Sequence, residues 1–217
     1  MLDKLKEKTR PYIPFTSLNT VWRDLDANSK TLLDVGCGKG EPAKFINRKD
    51  RYFAVGFDAF EPYLKQDLKE KIHNAYVQGD VRFLPFADRS FDSVICLEVL
   101  EHLERADGEL LLKELERVAA KQVIISTPVG NYKQGVFDGN PLQEHKYIWN
   151  PIEMKEKGYS VKGIGMRNLG GKAGVESKHS APVQVLVNVL WALSSPFTHY
   201  FPNMAGDMVC IRHLEEA

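Results

Sequence analysis

Net charge is the first thing this sequence lacks. Its 29 basic residues balance 29 acidic ones, so it offers no broad basic field for a nucleic-acid backbone, and no nucleic-acid partner is expected. Cysteine is scarce. Cys37, Cys96 and Cys210 are odd in number and form no C-x-x-C pair, which argues against a disulfide framework and points to a reduced, cytoplasmic setting. No metal site is expected. The charged start, Met1 to Lys8, has no apolar signal core. Residues 179–206 contain no Asp, Glu, Lys or Arg. Their apolar part, Val183 to Leu193, is nevertheless too short and too interrupted for a spanning helix, which needs about 20 mostly apolar residues. There is no internal repeat and no low-complexity segment. Two phosphate-binding signatures are also missing, the G-x-G-x-x-G of dinucleotide sites and the Gly-Lys-Ser/Thr ending of a P-loop.

What is present is a glycine-rich turn. Thr31 to Val35 reads as a buried parallel strand carrying Asp34. Gly36, Gly38 and Gly40 follow at every second position, and Glu41-Pro42 opens a helix. Glycines give a sharp turn and remove the Cβ atoms that would block a ligand from bare backbone. On its own this could be an ordinary β–α turn.

The next hundred residues decide. Tyr52 to Phe57 is a second strand, ending at Asp58, 20 residues beyond Gly38. A carboxylate there suits ribose hydroxyls; the alternative is a cap for a helix from Phe60 to Lys71. Tyr76 to Gly79 ends in Asp80, and Phe91 to Leu97 ends at Glu98. Asp107 is expected to cap a helix through Ala119, with Leu111, Leu115 and Val118 on its apolar face. Gln122 to Ser126 is a fifth strand. This alternation implies a doubly wound parallel sheet with right-handed crossovers, whose ligands bind beyond the carboxyl ends of the strands. Acidic residues at those ends suit a cationic, hydroxyl-bearing ligand better than a pyrophosphate. S-adenosylmethionine offers a sulfonium, an ammonium, two ribose hydroxyls and an adenine amino group.

With these segments in place, the chain resembles the class I S-adenosylmethionine-dependent methyltransferases, in the group acting on small molecules and lipid-like acceptors. The resemblance runs from Thr31 to Pro128 through Leu33–Gly40, Val55–Asp58, Gln78–Val81, Leu84–Phe86, Ser90–Val94 and Glu98–His102. It implies an α/β, Rossmann-like sheet of seven strands, mostly parallel with the last antiparallel, and helices on both faces. The cofactor contacts it implies are Asp34, Gly36, Cys37, Gly38, Gly40, Asp58, Ala59, Asp80, Val81, Leu97 and Glu98. Among these, the glycine turn would lie under the methionine part, Asp58 would hold the ribose, and Asp80 and Val81 would meet the adenine.

The remaining chain fits this plan as one domain: an N-terminal extension (1–30), a core (31–167), an insertion and possible lid (168–206), and the last strand (207–217). Trp149 to Lys157 reads as a short helix, Gly158 to Ile164 as the sixth strand and Met208 to Arg212 as the seventh. Tyr12, Phe15 and Trp22 are packing groups or a flap over the site. Within 179–206 the periodicity fits strand and helix equally, and this stretch could pack on the sheet, line an apolar acceptor site, or contact a membrane surface or a second copy. His102 and His145 are candidate bases for an alcohol or phenol acceptor, or simply hydrogen-bonded histidines. Glu101 is expected to be solvated. No Asn/Asp-Pro-Pro-Tyr/Phe motif and no Pro-Cys nucleophile follows the fourth strand, which leaves a small-molecule or lipid-like acceptor. A cofactor-binding module without catalysis and a nicotinamide-dependent oxidoreductase remain alternatives; the glycine spacing and Asp80 count against the latter.

Overall fold

The computed structural model describes residues 13–130, 134–167 and 181–215. Seven strands form one sheet: β1 (Thr31–Val35), β2 (Phe53–Asp58), β3 (Ala75–Gln78), β4 (Phe91–Leu97), β5 (Ala119–Pro128), β6 (Ser160–Met166) and β7 (Ala205–His213), in the order β3-β2-β1-β4-β5-β7-β6. The first five pair in parallel, and β7 runs antiparallel to both its neighbours. Six helices accompany them among the described residues: α1 (Ser17–Asp24), α2 (Glu41–Ile46), α3 (Glu61–Glu70), α4 (Arg105–Val118), α5 (Pro151–Glu156) and α6 (Ala181–Tyr200). The seven-stranded, mostly parallel expectation is borne out.

Strand side chains alternate between faces, and the core divides accordingly. Leu33 and Val35 join a cluster with Leu111 and Leu115 of α4 and Met154 of α5. Leu32 joins another with Val21 of α1 and Ile46 of α2. Both β1 faces are therefore dry, as its unbroken apolar run requires. The strand order reverses at β1, whose neighbours are β2 on one side and β4 on the other. Doubly wound sheets open their ligand crevice at such a reversal.

Local differences from the sequence reading have physical causes. Asp107 is not the cap of α4: the helix begins at Arg105 behind Glu104. Asp107 sits in the first turn, where an acid complements the helix dipole, and pairs with Arg82 at 3.1 Å. The ambiguous segment after residue 180 is helical, α6. Its seat on β6 demands small residues: a Cβ on Gly163 would strike the Thr198 carbonyl, and one on Gly165 the Trp191 indole. Leu193, Phe197 and Tyr200 of α6 remain exposed, yet no helix among the described residues is long and apolar enough to cross a membrane. Phe15 meets His199 edge-on at 5.2 Å, and Trp22 meets Phe45 at 5.8 Å. Tyr12 and the first part of the expected insertion, 168–180, lie outside the described residues.

The helix after the fully buried Trp149 starts with a capping box. The Asn150 side chain accepts from the N–H groups of Ile152 and Glu153, both at 3.0 Å, and Glu153 answers with a contact to the Asn150 N–H. Asn150→Ala leaves those helix donors without their partner and is expected to lower stability by about 1 kcal/mol, read as a shift in denaturant midpoint with the slope unchanged.

Candidate functional site

The glycine turn is shaped by its backbone angles. Gly36, Gly38 and Gly40 have φ of +73°, +57° and +78°, a region costly for residues with a Cβ. The N–H groups of Gly36 and Cys37 both donate to the Phe57 carbonyl, at 2.7 and 3.1 Å, tying the turn to the end of β2. A Cβ at Gly36 would penetrate Val99, so the glycine turn lies directly against the turn that follows β4. Cys37 is buried. Burial first, then the nearby Asp34, Asp58 and Asp67 carboxylates, push its thiol far above the ordinary range, so it packs as a neutral group and is no nucleophile.

Asp58 ends β2 and faces the same turn. One carboxylate oxygen accepts the Gly38 N–H at 2.8 Å and the other the Phe60 N–H at 2.8 Å. It is not the cap of α3, whose cap position is Phe60. Burial pushes the carboxyl up, and its backbone donors pull it back. Ala59 follows on the same loop, its carbonyl taking a bond from Gln78 at 3.2 Å. Two fixed N–H donors orient the carboxylate while each oxygen keeps a second acceptor direction.

Beneath the turn lies a feature the sequence reading missed. Asp34, expected as a ligand contact, is 2% exposed, and its carboxylate meets Nε2 of His73 at 3.1 Å. Nδ1 of His73 meets Asp67 at 2.8 Å. Burial alone would push this imidazole down, but hydrogen bonds and charge from Asp34 and Asp67 outweigh it and hold it up at about 9. The imidazolium therefore ties β1 to α3 directly under the glycine bed: Cβ atoms built on Gly40 and Gly56 would sit 2.7 Å from Asp67 and 3.0 Å from His73.

The cations around the crevice are held by acids. The Arg82 guanidinium forks onto Asp80, with bonds of 3.0, 3.0 and 2.6 Å, and reaches Asp107. The Arg82 bonds hold the Asp80 carboxyl below its usual value. Lys39 pairs with Asp138 at 2.6 Å and lies over the Tyr63 ring. Such pairing suits a cationic, hydroxyl-bearing ligand and gives little to a pyrophosphate. Val81, next to Asp80, is buried in the core cluster.

Past β4, Leu97 is half-buried and Glu98 takes a positive φ of 58°. The Glu98 N–H donates to the Ser126 carbonyl at 2.9 Å, and its carboxylate accepts the Ser126 hydroxyl at 2.7 Å. Glu101 overturns its expectation. It is 2% exposed rather than solvated, because the Leu100–His102 turn folds inward and Thr127 donates to its carboxylate at 3.0 Å. The Glu101 carbonyl accepts from Lys146 and Tyr147 at 2.8 and 3.2 Å, which brings the loop after β5 over the site. His102 and His145 thereby come together, with ring centroids 5.0 Å apart. Nδ1 of His102 donates to the Glu144 carbonyl at 3.2 Å, and burial pushes this imidazole down.

A glycine bed at a strand-order reversal, flanked by a backbone-held carboxylate and free of unpaired phosphate grips among its named cations, defines a nucleoside-cofactor site of the doubly wound α/β class. Comparison with known proteins narrows the class. Residues 33–126 match the methyltransferase domain family. A demethylmenaquinone methyltransferase of Thermotoga maritima is 27% identical over 145 residues, 62% of this chain and 62% of that protein. A ubiquinone biosynthesis O-methyltransferase of Rickettsia bellii is 28% identical over 130 residues, 58% of this chain and 53% of that protein. The chain thus spans less than two thirds of the curated relatives it matches. A crystal structure of an S-adenosylmethionine-dependent methyltransferase from Archaeoglobus fulgidus superposes with a TM-score of 0.58 at 19% identity, covering 98% of this chain and 94% of that one, a likeness of fold. The stretch from residue 33 to residue 126 is thus similar to the methyltransferase domain family, and the chain shares the fold of an S-adenosylmethionine-dependent methyltransferase.

Proposed function

We propose that this protein transfers the methyl group of S-adenosylmethionine to a small-molecule or lipid-like acceptor. One observation carries the reading: Asp58 is clamped by the Gly38 N–H at 2.8 Å beside a glycine bed bare of Cβ atoms. The cofactor supplies a methyl carbon on a sulfonium, which leaves as a neutral thioether. In this reading the Gly36–Gly40 backbone lies under the methionine part, with Leu97 and Glu98 along its flank. Asp58 accepts from the ribose hydroxyls. Asp80, steadied by Arg82, accepts from the adenine amino group beside Val81. Asp34 acts from below, through His73. What remains for the protein is to align acceptor and methyl, which proximity alone accelerates greatly. His102 and His145 stand where the acceptor approaches and supply the nitrogen lone pairs that activate it. The two relatives named above carry quinone-pathway names, which supports a ring-bearing, partly apolar acceptor.

Asp58→Ala tests the assignment. It removes the ribose acceptor from the last position of β2, so the fold should persist while affinity for S-adenosylhomocysteine falls at least ~30-fold, the loss of two charge-assisted hydrogen bonds. Titration calorimetry reads this; unchanged affinity sinks the ribose role. Transfer of label from methyl-labelled cofactor to a panel of phenols, catechols, amines and quinols then separates an enzyme from a binding module.

A further inference from the structure

Helix α6 wears its polarity the wrong way round for a lone surface helix. We propose that its outward face is the two-fold interface of a homodimer, in which α6 of one protomer packs on α6 of its partner. The inference is independent of the methyltransferase reading.

The side of α6 that meets the sheet holds hydroxyls. Ser195 and Thr198 are buried, and they donate to the helix's own Trp191 and Ser195 carbonyls at 2.7 and 3.1 Å. Their polar groups are thereby satisfied within the helix, and their small side chains let it sit on Gly163 and Gly165 of β6. The apolar residues point the other way. Val189, Leu190, Leu193, Phe197, Tyr200 and Phe201 recur at helical spacing along one side, and all are exposed, Leu193 at 73% and Tyr200 at 76%. A surface helix of a monomer turns such an arc to the core. Weighted by side-chain size, these exposures leave on the order of 700 Å² of apolar surface, above the roughly 300–600 Å² of the largest patch on a typical monomer and close to the ~800 Å² that each partner gives a standard interface.

Charge decides what covers this face. No Asp, Glu, Lys or Arg occurs from residue 179 to residue 206. A helix that lies in a membrane surface carries a polar face rich in Lys and Arg; α6 has no such residue, and its polar side is turned to β6. Residues 1–12 and 168–180 are rich in charge and glycine, with Leu2, Leu5, Leu169 and Val175 too sparse to match the arc. A second copy fits. Across a two-fold axis an uncharged arc meets itself with no like charges opposed, and homodimer interfaces are the more apolar kind, depleted in charge and enriched in aromatic residues. Phe197 and Phe201 are already stacked, with centroids 4.6 Å apart, so they lose little freedom when buried. The position also leaves the cofactor crevice alone, because β6 ends the sheet four strands from β1.

Sedimentation equilibrium of the full chain tests this. A dimer with a dissociation constant in the micromolar range or below is expected, and Leu193→Glu and Phe197→Glu should each weaken it at least ~100-fold, as loss of a central apolar anchor does. Both side chains face outward within a protomer, so the far-ultraviolet circular dichroism of the variants should match wild type. A measurement without variants runs beside it: the wild-type melting temperature should rise with protein concentration. Wild type that stays monomeric up to about 100 µM, or variants that dimerise as tightly as wild type, overturns the proposal. So does a wild-type monomer that floats with phosphatidylcholine vesicles when Leu193→Glu does not, which gives the face to a lipid surface.

Discussion

Gly36→Ala should abolish detectable S-adenosylhomocysteine binding and destabilise the fold by about 2–5 kcal/mol. Two effects add. Gly36 has a φ of +73°, where an L-residue is disfavoured by roughly 1–2 kcal/mol. The new methyl group would also enter the space of Val99, and forcing extra carbon into a packed contact adds about 1–3 kcal/mol. Val99 is β-branched and stiff, so relief must come from moving the turn. That turn carries the cofactor bed and is pinned to the Phe57 carbonyl through the N–H groups of Gly36 and Cys37. A denaturant titration and a calorimetric titration read the two losses separately. Gly135→Ala is the control, because a Cβ there meets nothing within 4 Å; its stability and affinity should match wild type.

The second large effect concerns His73. Removing it leaves the Asp34 and Asp67 carboxylates buried together without their cation, and breaking a buried pair in this way destabilises by about 3–5 kcal/mol. His73→Gln is therefore expected to fall in that range. Wild type carries a pH signature of the same contact. The folded-state imidazole titrates at about 9, above the ~6.5 of an unfolded chain. A group raised on folding contributes its full stability below the unfolded value and loses it as pH climbs through the folded one. Wild-type stability should thus decline between about pH 6.5 and pH 9, by roughly 3 kcal/mol from this group. In His73→Gln the decline over that window should be much smaller. Equal slopes in the two proteins would show that His73 is not the titrating cation.

Parts of this site were legible in the sequence because chain neighbours build them. A strand, three alternating glycines and a helix start occupy twelve consecutive residues, and Asp58 lies at the end of the very next strand. Periodicity carried the alternating sheet for the same reason. The buried His73 triad was not legible: its members, Asp34, Asp67 and His73, come from a strand, a helix and the loop after it, and a histidine beside Ile72 and Asn74 carries no periodic signal. Glu101 misled because acidic residues crowd its stretch, from Glu98 to Glu109. Only the inward fold of the Leu100–His102 turn onto Thr127 buries it. The pairing of Arg82 with Asp107 was equally hidden, since it needs the loop after β3 to reach the first turn of α4. The helix after residue 180 stayed ambiguous because valine alternation and leucine spacing overlap there, and contact with the glycines of β6 settles it.

The central claim is that acids and bare glycine backbone at the reversal of this sheet receive a cationic nucleoside cofactor. Titration calorimetry of the wild-type chain with S-adenosylmethionine, S-adenosylhomocysteine and NAD addresses it most directly. One site per chain for each of the first two ligands, and no heat from NAD, is the result the structure predicts. Binding of NAD with silence from both sulfur nucleosides would contradict it.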